Sequence, residues 1–526
     1  MSKISKKVLS VFLALLTAVL ILTPAFITAG AEESTVPIIY VLGIGQALCD
    51  FPGTKDEKQI YPLNLGDDYI KSTVKKYFPV FAKAFFTQKW DEFCDVLYDI
   101  SVDLGKDLKL DDEAEPRNDS DVKWHWKNTP LRDKKKNGTY KIDDYTIRLD
   151  WRLSPMELAD RLNEYIEAVR NVTKSPKVKL VGRCFGAAVV SAYLTKYGGE
   201  HVSDVLFYVS TAGGVVVCGE PFKGDFYLDA AGINRFVQDM EITDKDYLDE
   251  LIKAFVDRFK KTYGLNIAAW AVNNVYSKIY LNINPRVLLE TLGAFPSFWS
   301  MINLKDFDRA KEVVFYGADM EKYKTLIEKI DDYHDNVQVP LDDTLKRLEG
   351  EGINFAVITK YGRQTTPMSK DSASLSDGIV NLVDSSFGAT TVKVNETFSA
   401  DYIEKAKQNG TFKYISPDKE VDASTCLFPD TTWIVKDIDH SLFPACLNEL
   451  MNAFFASNGK MTIDTDPAYP QFLVFNEDDL TLSPMTEENC YTSEKRWNRS
   501  YFTNLKAIFT AIFRFIKDLF KGEFKK

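Results

Sequence analysis

The sequence predicts an α/β fold, a mostly parallel sheet flanked by helices, and three observations carry that prediction. Short continuous apolar segments alternate with helical ones through residues 36–215 and return after 353, as expected of strands buried on both faces of a parallel sheet. One such segment, Val178-Lys179-Leu180-Val181, runs straight into Gly182-Arg183-Cys184-Phe185-Gly186 and then a small-residue helix. That is the layout of a nucleophile elbow, a tight strand-to-helix turn that lifts one side chain above the sheet. A candidate acid and a candidate base then follow in chain order, each beyond a further apolar segment.

The chain of 526 residues begins with Lys3, Lys6 and Lys7, an apolar run over 8–22, and Ala29-Gly30-Ala31 before two glutamates. A positive start, a short apolar stretch and an A-x-A site predict a secretory signal removed after Ala31. The run is short for a membrane span, so a secreted or cell-surface protein is expected, with membrane anchoring as the alternative. Loss of residues 1–31 moves the net charge from -11 to about -14. An acidic exported chain is a poor match for polyanions, and no nucleic-acid partner is expected. Seven cysteines, odd in number and scattered singly, do not make a disulfide framework.

No Pro/Gly/Ser-rich linker or repeat divides the chain. One domain over 32–455 is expected, with a mixed insertion at 46–140, a helical cap at 220–345 and a C-terminal extension at 456–526. The first strand, Pro37-Ile38-Ile39-Tyr40-Val41-Leu42, ends in Gly43-Ile44-Gly45. The insertion holds a helical patch around 70–104 with clustered aromatics, Tyr77 to Phe93. A strand is expected over 145–152, then Ser154 as N-cap and Pro155 as the first helical residue of a helix over 156–172. After the strand 178–181 and the elbow come a helix over 187–197 and a strand over 205–210. The cap is rich in aromatics, among them Phe226, Tyr227, Trp270, Phe295 and Trp299. The sheet resumes over 353–359 and ends with a strand over 432–435.

A thiol nucleophile needs a base, and the base an orienting acid. The chain has four histidines. His125 lies in the insertion, His201 opens a strand on the wrong side of the elbow, and His334 sits in the cap. His440 follows the strand at 432–435, where a loop can swing over the carboxyl edge of a sheet. For the acid, Asp377-Gly378 lies in the polar loop after the strand at 353–359, with Asp371, Asp384, Asp437 and Asp439 as rivals. The expected catalytic set is therefore Cys184, Asp377 and His440. The backbone N–H groups of Ile44 and Phe185 are the expected oxyanion donors. No HExxH, Cys-x-x-Cys, P-loop or dinucleotide fingerprint occurs, so no metal and no cofactor are expected.

Residues 36–215 and 353–445 resemble the α/β-hydrolase superfamily, in particular bacterial lipases and the lecithin:cholesterol acyltransferase-like branch. The resemblance rests on Leu42-Gly43-Ile44-Gly45, Asp150-Trp151-Arg152, the Gly182–Gly186 elbow, Asp377-Gly378 and His440-Ser441. That family usually carries His before the oxyanion-loop Gly and Ser at the elbow; here those positions are Leu42 and Cys184. Cys at the elbow is similar to dienelactone hydrolases and to polyhydroxyalkanoate synthases, the latter normally intracellular. The resemblance implies a carboxylester hydrolase or acyltransferase acting on an apolar, lipid-like acyl substrate through a thioester. The alternative is an inactive hydrolase fold serving as a cell-surface binding module.

Residues 501–521 predict a basic amphipathic helix. At about 100° per residue, Lys506, Arg514, Lys517 and Lys521 share one face with Thr510, and apolar residues fill the rest. Such a helix suits an anionic membrane surface or a docking site on the protein itself, and both stay open.

Overall fold

A computed structural model of the chain describes residues 34–63, 76, 77, 79, 80, 83, 84, 87–239 and 264–490. The expected signal segment and the expected helix at 501–521 lie outside the described residues.

The described chain is organised on an eight-stranded sheet. Its strands are β1 (Ile38–Val41), β2 (Tyr145–Ile147), β3 (Val178–Arg183), β4 (Val202–Tyr208), β5 (Asn354–Tyr361), β6 (Thr432–Lys436), β7 (Phe472–Asn476) and β8 (Thr481–Pro484). They lie in the order β2-β1-β3-β4-β5-β6-β7-β8. Every neighbouring pair is parallel except β7 with β8. The α/β class read from the sequence is therefore present, with one antiparallel edge strand.

Alternate strand residues feed two cores. Ile39, Val41 and Leu180 join the layer that also holds Leu158, Leu162, Ala187 and Val190, contributed by the helices α2 (Pro155–Thr173) and α3 (Phe185–Tyr197). Ile38, Tyr40, Val181 and Ile358 join the opposite layer, closed by Leu447, Leu450 and Phe454 of the helix Ala445–Ala456. Helix α2 starts as its sequence demands. Ser154 accepts from the Met156 amide while Glu157 accepts from the Ser154 amide, with Pro155 at the first helical position, a complete capping box.

Two expectations need correction. The strand expected over 145–152 stops at Ile147, because Asp150, Trp151 and Arg152 are committed elsewhere. Buried Arg152 pairs bidentately with Asp150 at 2.9 and 2.6 Å and donates to the Leu108 carbonyl and the Ser120 hydroxyl. The Trp151 indole donates to the Gln46 carbonyl at 3.0 Å. These residues clamp the insertion onto the sheet instead of extending a ladder. Second, β6 is not the last strand and 455 does not end the sheet, since β7 and β8 add two strands beyond it.

The insertion forms a small antiparallel sheet of Lys58–Tyr61, Leu48–Asp50 and Asp121–Val122 and the helix Asp91–Gly105. Trp90, Phe93 and Cys94 there pack with Ile279 and Ile283 of the cap helix Gly264–Leu288. These side chains close a small core between the helices Asp91–Gly105 and Gly264–Leu288. No helix among the described residues is long and apolar enough to cross a membrane.

Candidate active site

Strand order reverses at β1, which has β2 on one side and β3 on the other. At such a point the loops leave the carboxyl ends of the strands in opposite directions. Cys184 stands there, between the end of β3 and the start of α3. Its backbone takes φ 52°, ψ -125°, a conformation costing a non-glycine residue roughly 1–3 kcal/mol. The neighbours hold it: the Cys184 amide donates to the Tyr208 carbonyl at 3.0 Å, and the Cys184 carbonyl accepts from Ala187 at 2.9 Å. Two glycines packed around Cys184 are steric requirements. A Cβ on Gly186 would collide with the Val41 carbonyl, and one on Gly43 would lie 2.8 Å from the Cys184 Cβ and 3.3 Å from its Sγ. The loop after β1 thus packs directly on the elbow, with Ile44 next in line.

The structure brings Asp377 and His440 together. His440 Nδ1 lies 2.7 Å from Asp377 Oδ2, and the His440 amide donates to the Asp377 carbonyl at 2.9 Å. Both side chains are buried. The other carboxylate oxygen, Oδ1, accepts from the amides of Ile379 and Val380 at 3.0 and 2.8 Å, so the Asp-Gly turn fixes the acid's direction. With Nδ1 engaged, the second imidazole nitrogen is the one left for Cys184, and the two side chains are close enough to act on each other's charge.

The electrostatics separate this cysteine from the others. Burial would raise the Cys184 thiol, but His440, the Phe185 amide and Arg183 outweigh it and hold it below the usual range. Cys49, Cys94, Cys218, Cys426 and Cys446 are all pushed up, chiefly by burial, Cys218 to about 12. Burial likewise opposes charge on His440, yet Asp377 and Cys184 raise its pKa to about 10. Asp377 is held low by His440 and its two amide donors against the effect of burial. A thiolate beside an imidazolium is the nucleophile's reactive form.

The rivals sit elsewhere. Asp371 is exposed, Asp384 is bonded to Asn303 at 2.9 Å, Asp439 caps Ser441 at 2.8 Å, and the Asp437 carbonyl accepts from Arg363. His125 accepts from Lys127, His201 lies 3.8 Å from Glu167, and His334 stacks on Phe307. All seven cysteines are free thiols.

Sequence reading missed a cluster under the His440 loop. Arg183 lies over the Phe443 ring at 4.2 Å, Tyr208 meets that ring edge-on at 4.5 Å, and Lys360 is buried beside both. A lysine near the end of an otherwise apolar strand was the available signal. A cavity of about 440 Å3 opens beside the helix Gly264–Leu288, with Tyr227, Asp229, Trp270 and Asn273 in its lining; Cys184, Asp377 and His440 do not line it. Among the described residues, no group of three or more His, Cys, Asp or Glu could hold a metal ion.

No protein-family model matches the chain, and no curated protein matches it.

Proposed function

We propose that the chain is an α/β-hydrolase-type enzyme that transfers or hydrolyses acyl groups of carboxylic esters, related to the lipase and lecithin:cholesterol acyltransferase-like branch. The observation that carries this reading is the Asp377–His440 hydrogen bond beside a strained elbow, where the imidazole holds the Cys184 thiol low. In this reading His440, oriented by Asp377, takes the Cys184 proton and the thiolate attacks the ester carbonyl. The amides of Phe185 and Ile44 receive the developing oxyanion. The collapse of that intermediate leaves a thioester on Sγ, and His440 returns its proton to the departing alcohol. Water or an acceptor alcohol then resolves the thioester. We place the protein outside the cell, with residues 1–31 removed and residues 501–521 on a membrane surface or on the protein itself.

The test is labelling with a thiol-directed and a serine-directed acylating probe, together with turnover of medium-chain aryl esters. Wild type should take the thiol-directed probe at Cys184; Cys184→Ala should lose both label and turnover, and Cys218→Ala should keep them. Because His440 titrates near pH 10, kcat/KM should fall on the alkaline side there, where the proton donor for the leaving alcohol is lost. Wild type without turnover on any ester or thioester would retire the enzyme reading. A binding module on the same fold would then take its place, and the cavity beside the helix Gly264–Leu288, separate from Cys184, is the observation that favours that second reading.

A further inference from the structure

Lys360 is the next-to-last residue of β5, wholly buried in the layer that the helix Ala445–Ala456 covers. Its ammonium donates to three main-chain carbonyls, those of Asp439 at 3.0 Å, His440 at 3.3 Å and Leu442 at 2.7 Å. Its nitrogen also lies 4.8 Å from the centre of the Tyr208 ring and 5.7 Å from that of Phe443. No ion pair to a carboxylate satisfies it among the described residues. An ammonium has three hydrogens and no acceptor, so these three carbonyls use all of them. All three belong to one short loop, and that loop carries His440.

A buried charge whose hydrogen bonds go only to carbonyls is costly, and here one backbone shape supplies all three. Carbonyls of three residues within four positions point inward at one atom, which fixes the turn between β6 and the helix Ala445–Ala456. The same turn sets the His440 ring on Asp377 and Cys184. Phe443 wedges into it from below, between the Arg183 guanidinium and the Tyr208 ring. The charged and titratable groups nearest Lys360 are Asp377, Arg183, Asp439 and Cys446.

We infer that Lys360 is a positioning residue for His440: by gathering the carbonyls of Asp439, His440 and Leu442 on its ammonium, it holds the loop in the shape that presents the imidazole to Cys184. The inference rests on the reading of Cys184 and His440 as a reacting pair.

The experiment reads the thiol and needs no substrate. Intact protein is alkylated with iodoacetamide across pH, and modification of the Cys184 peptide is followed by mass spectrometry in wild type, Lys360→Met, Lys360→Gln and His440→Ala. Wild type should react at lower pH than an ordinary thiol, because His440 holds the Cys184 thiol low. Lys360→Met, apolar and of similar volume, should slow Cys184 about tenfold near pH 6 and move its profile toward that of an ordinary thiol. Lys360→Gln, which keeps two donors, should fall between. If His440→Ala shifts the profile and Lys360→Met does not, the positioning role is overturned while the Cys184–His440 pair stands. If His440→Ala leaves the profile unchanged, the pair itself fails. Loss of folding in both lysine variants would also overturn the inference, since the lysine would then serve the fold at large.

Discussion

Two lysines stand at the carboxyl ends of neighbouring strands, Lys360 on β5 and Lys436 on β6, one register step apart and on opposite faces of the sheet. Both are fully buried. Lys436 bonds to two carboxylates, Asp418 at 2.7 Å and Glu420 at 3.0 Å, and the Tyr361 hydroxyl donates to Asp418 at 2.6 Å. Burial disfavours its charge, but the two acids outweigh burial and raise its pKa. Lys360 has only carbonyls as hydrogen-bond partners; burial outweighs the nearby Asp377 and Asp439 and lowers its pKa to about 7. The first is a permanent charge inside a closed network, the second a charge that depends on the shape of one loop. A buried cation is thus inert or consequential according to what its partners are attached to. Asp418 and Glu420 lie outside the His440 loop, whereas the carbonyls around Lys360 belong to that loop, which carries the candidate base.

The largest effect should come from Lys436→Met. It strands the buried Asp418 carboxylate beside Glu420, itself pushed up to about 8 by burial and Asp418, and should cost about 3–5 kcal/mol in urea unfolding, while the Cys184 alkylation profile keeps its position. A shift of that profile as large as in Lys360→Met would erase the distinction between the lysines. Adding Asp418→Asn and Glu420→Gln removes the stranded charges, and the triple variant should recover most of the loss, to within about 1–2 kcal/mol of wild type.

Lys360→Met should be milder, at most about 2 kcal/mol, because unmet carbonyls are offset by relief of a desolvated charge. A loss equal to that of Lys436→Met would mean that Lys360 is as structural as its neighbour.

The pH dependences should run in opposite directions. Lys360 is depressed from its ordinary 10.5 to about 7, so between those values the unfolded chain binds more protons and the residue's contribution to stability rises with pH. Lys436 is raised, so its contribution is complete below 10.5 and is lost as pH climbs through its folded value. Unfolding of each Met variant against wild type from neutral to alkaline pH measures both signs; equal signs would contradict the contrast. The smallest effect calibrates the scale: Ser154→Ala removes the α2 cap and should cost about 1 kcal/mol without moving the thiol profile.

The strands were legible where their surroundings are uniform. β1, β3, β4 and β5 lie in the interior of a parallel sheet, covered on both faces, and read as mostly apolar runs. β7 and β8 were not read: Phe472-Leu473-Val474-Phe475 is equally apolar, but it follows a polar loop, and β8 alternates at an exposed edge. The truncation of β2 was hidden as well, because nothing local shows that Asp150 and Arg152 pair with each other and reach Leu108 and Ser120.

The sequence by itself determined the alternation of strands and helices, the start of α2, the glycine-flanked turn at Cys184, and the chain order in which Asp377 and His440 follow it. All of these rest on interactions within a few residues, or on whether a segment meets water. Only the tertiary structure decided that Asp377 rather than its four rivals meets His440, that Cys184 alone among the shifted thiols is held low, and that Lys360 grips the His440 loop. Those outcomes depend on distances between atoms 63 and 80 residues apart and on the burial that gives each charge its strength, and neither is written in any local stretch of the chain.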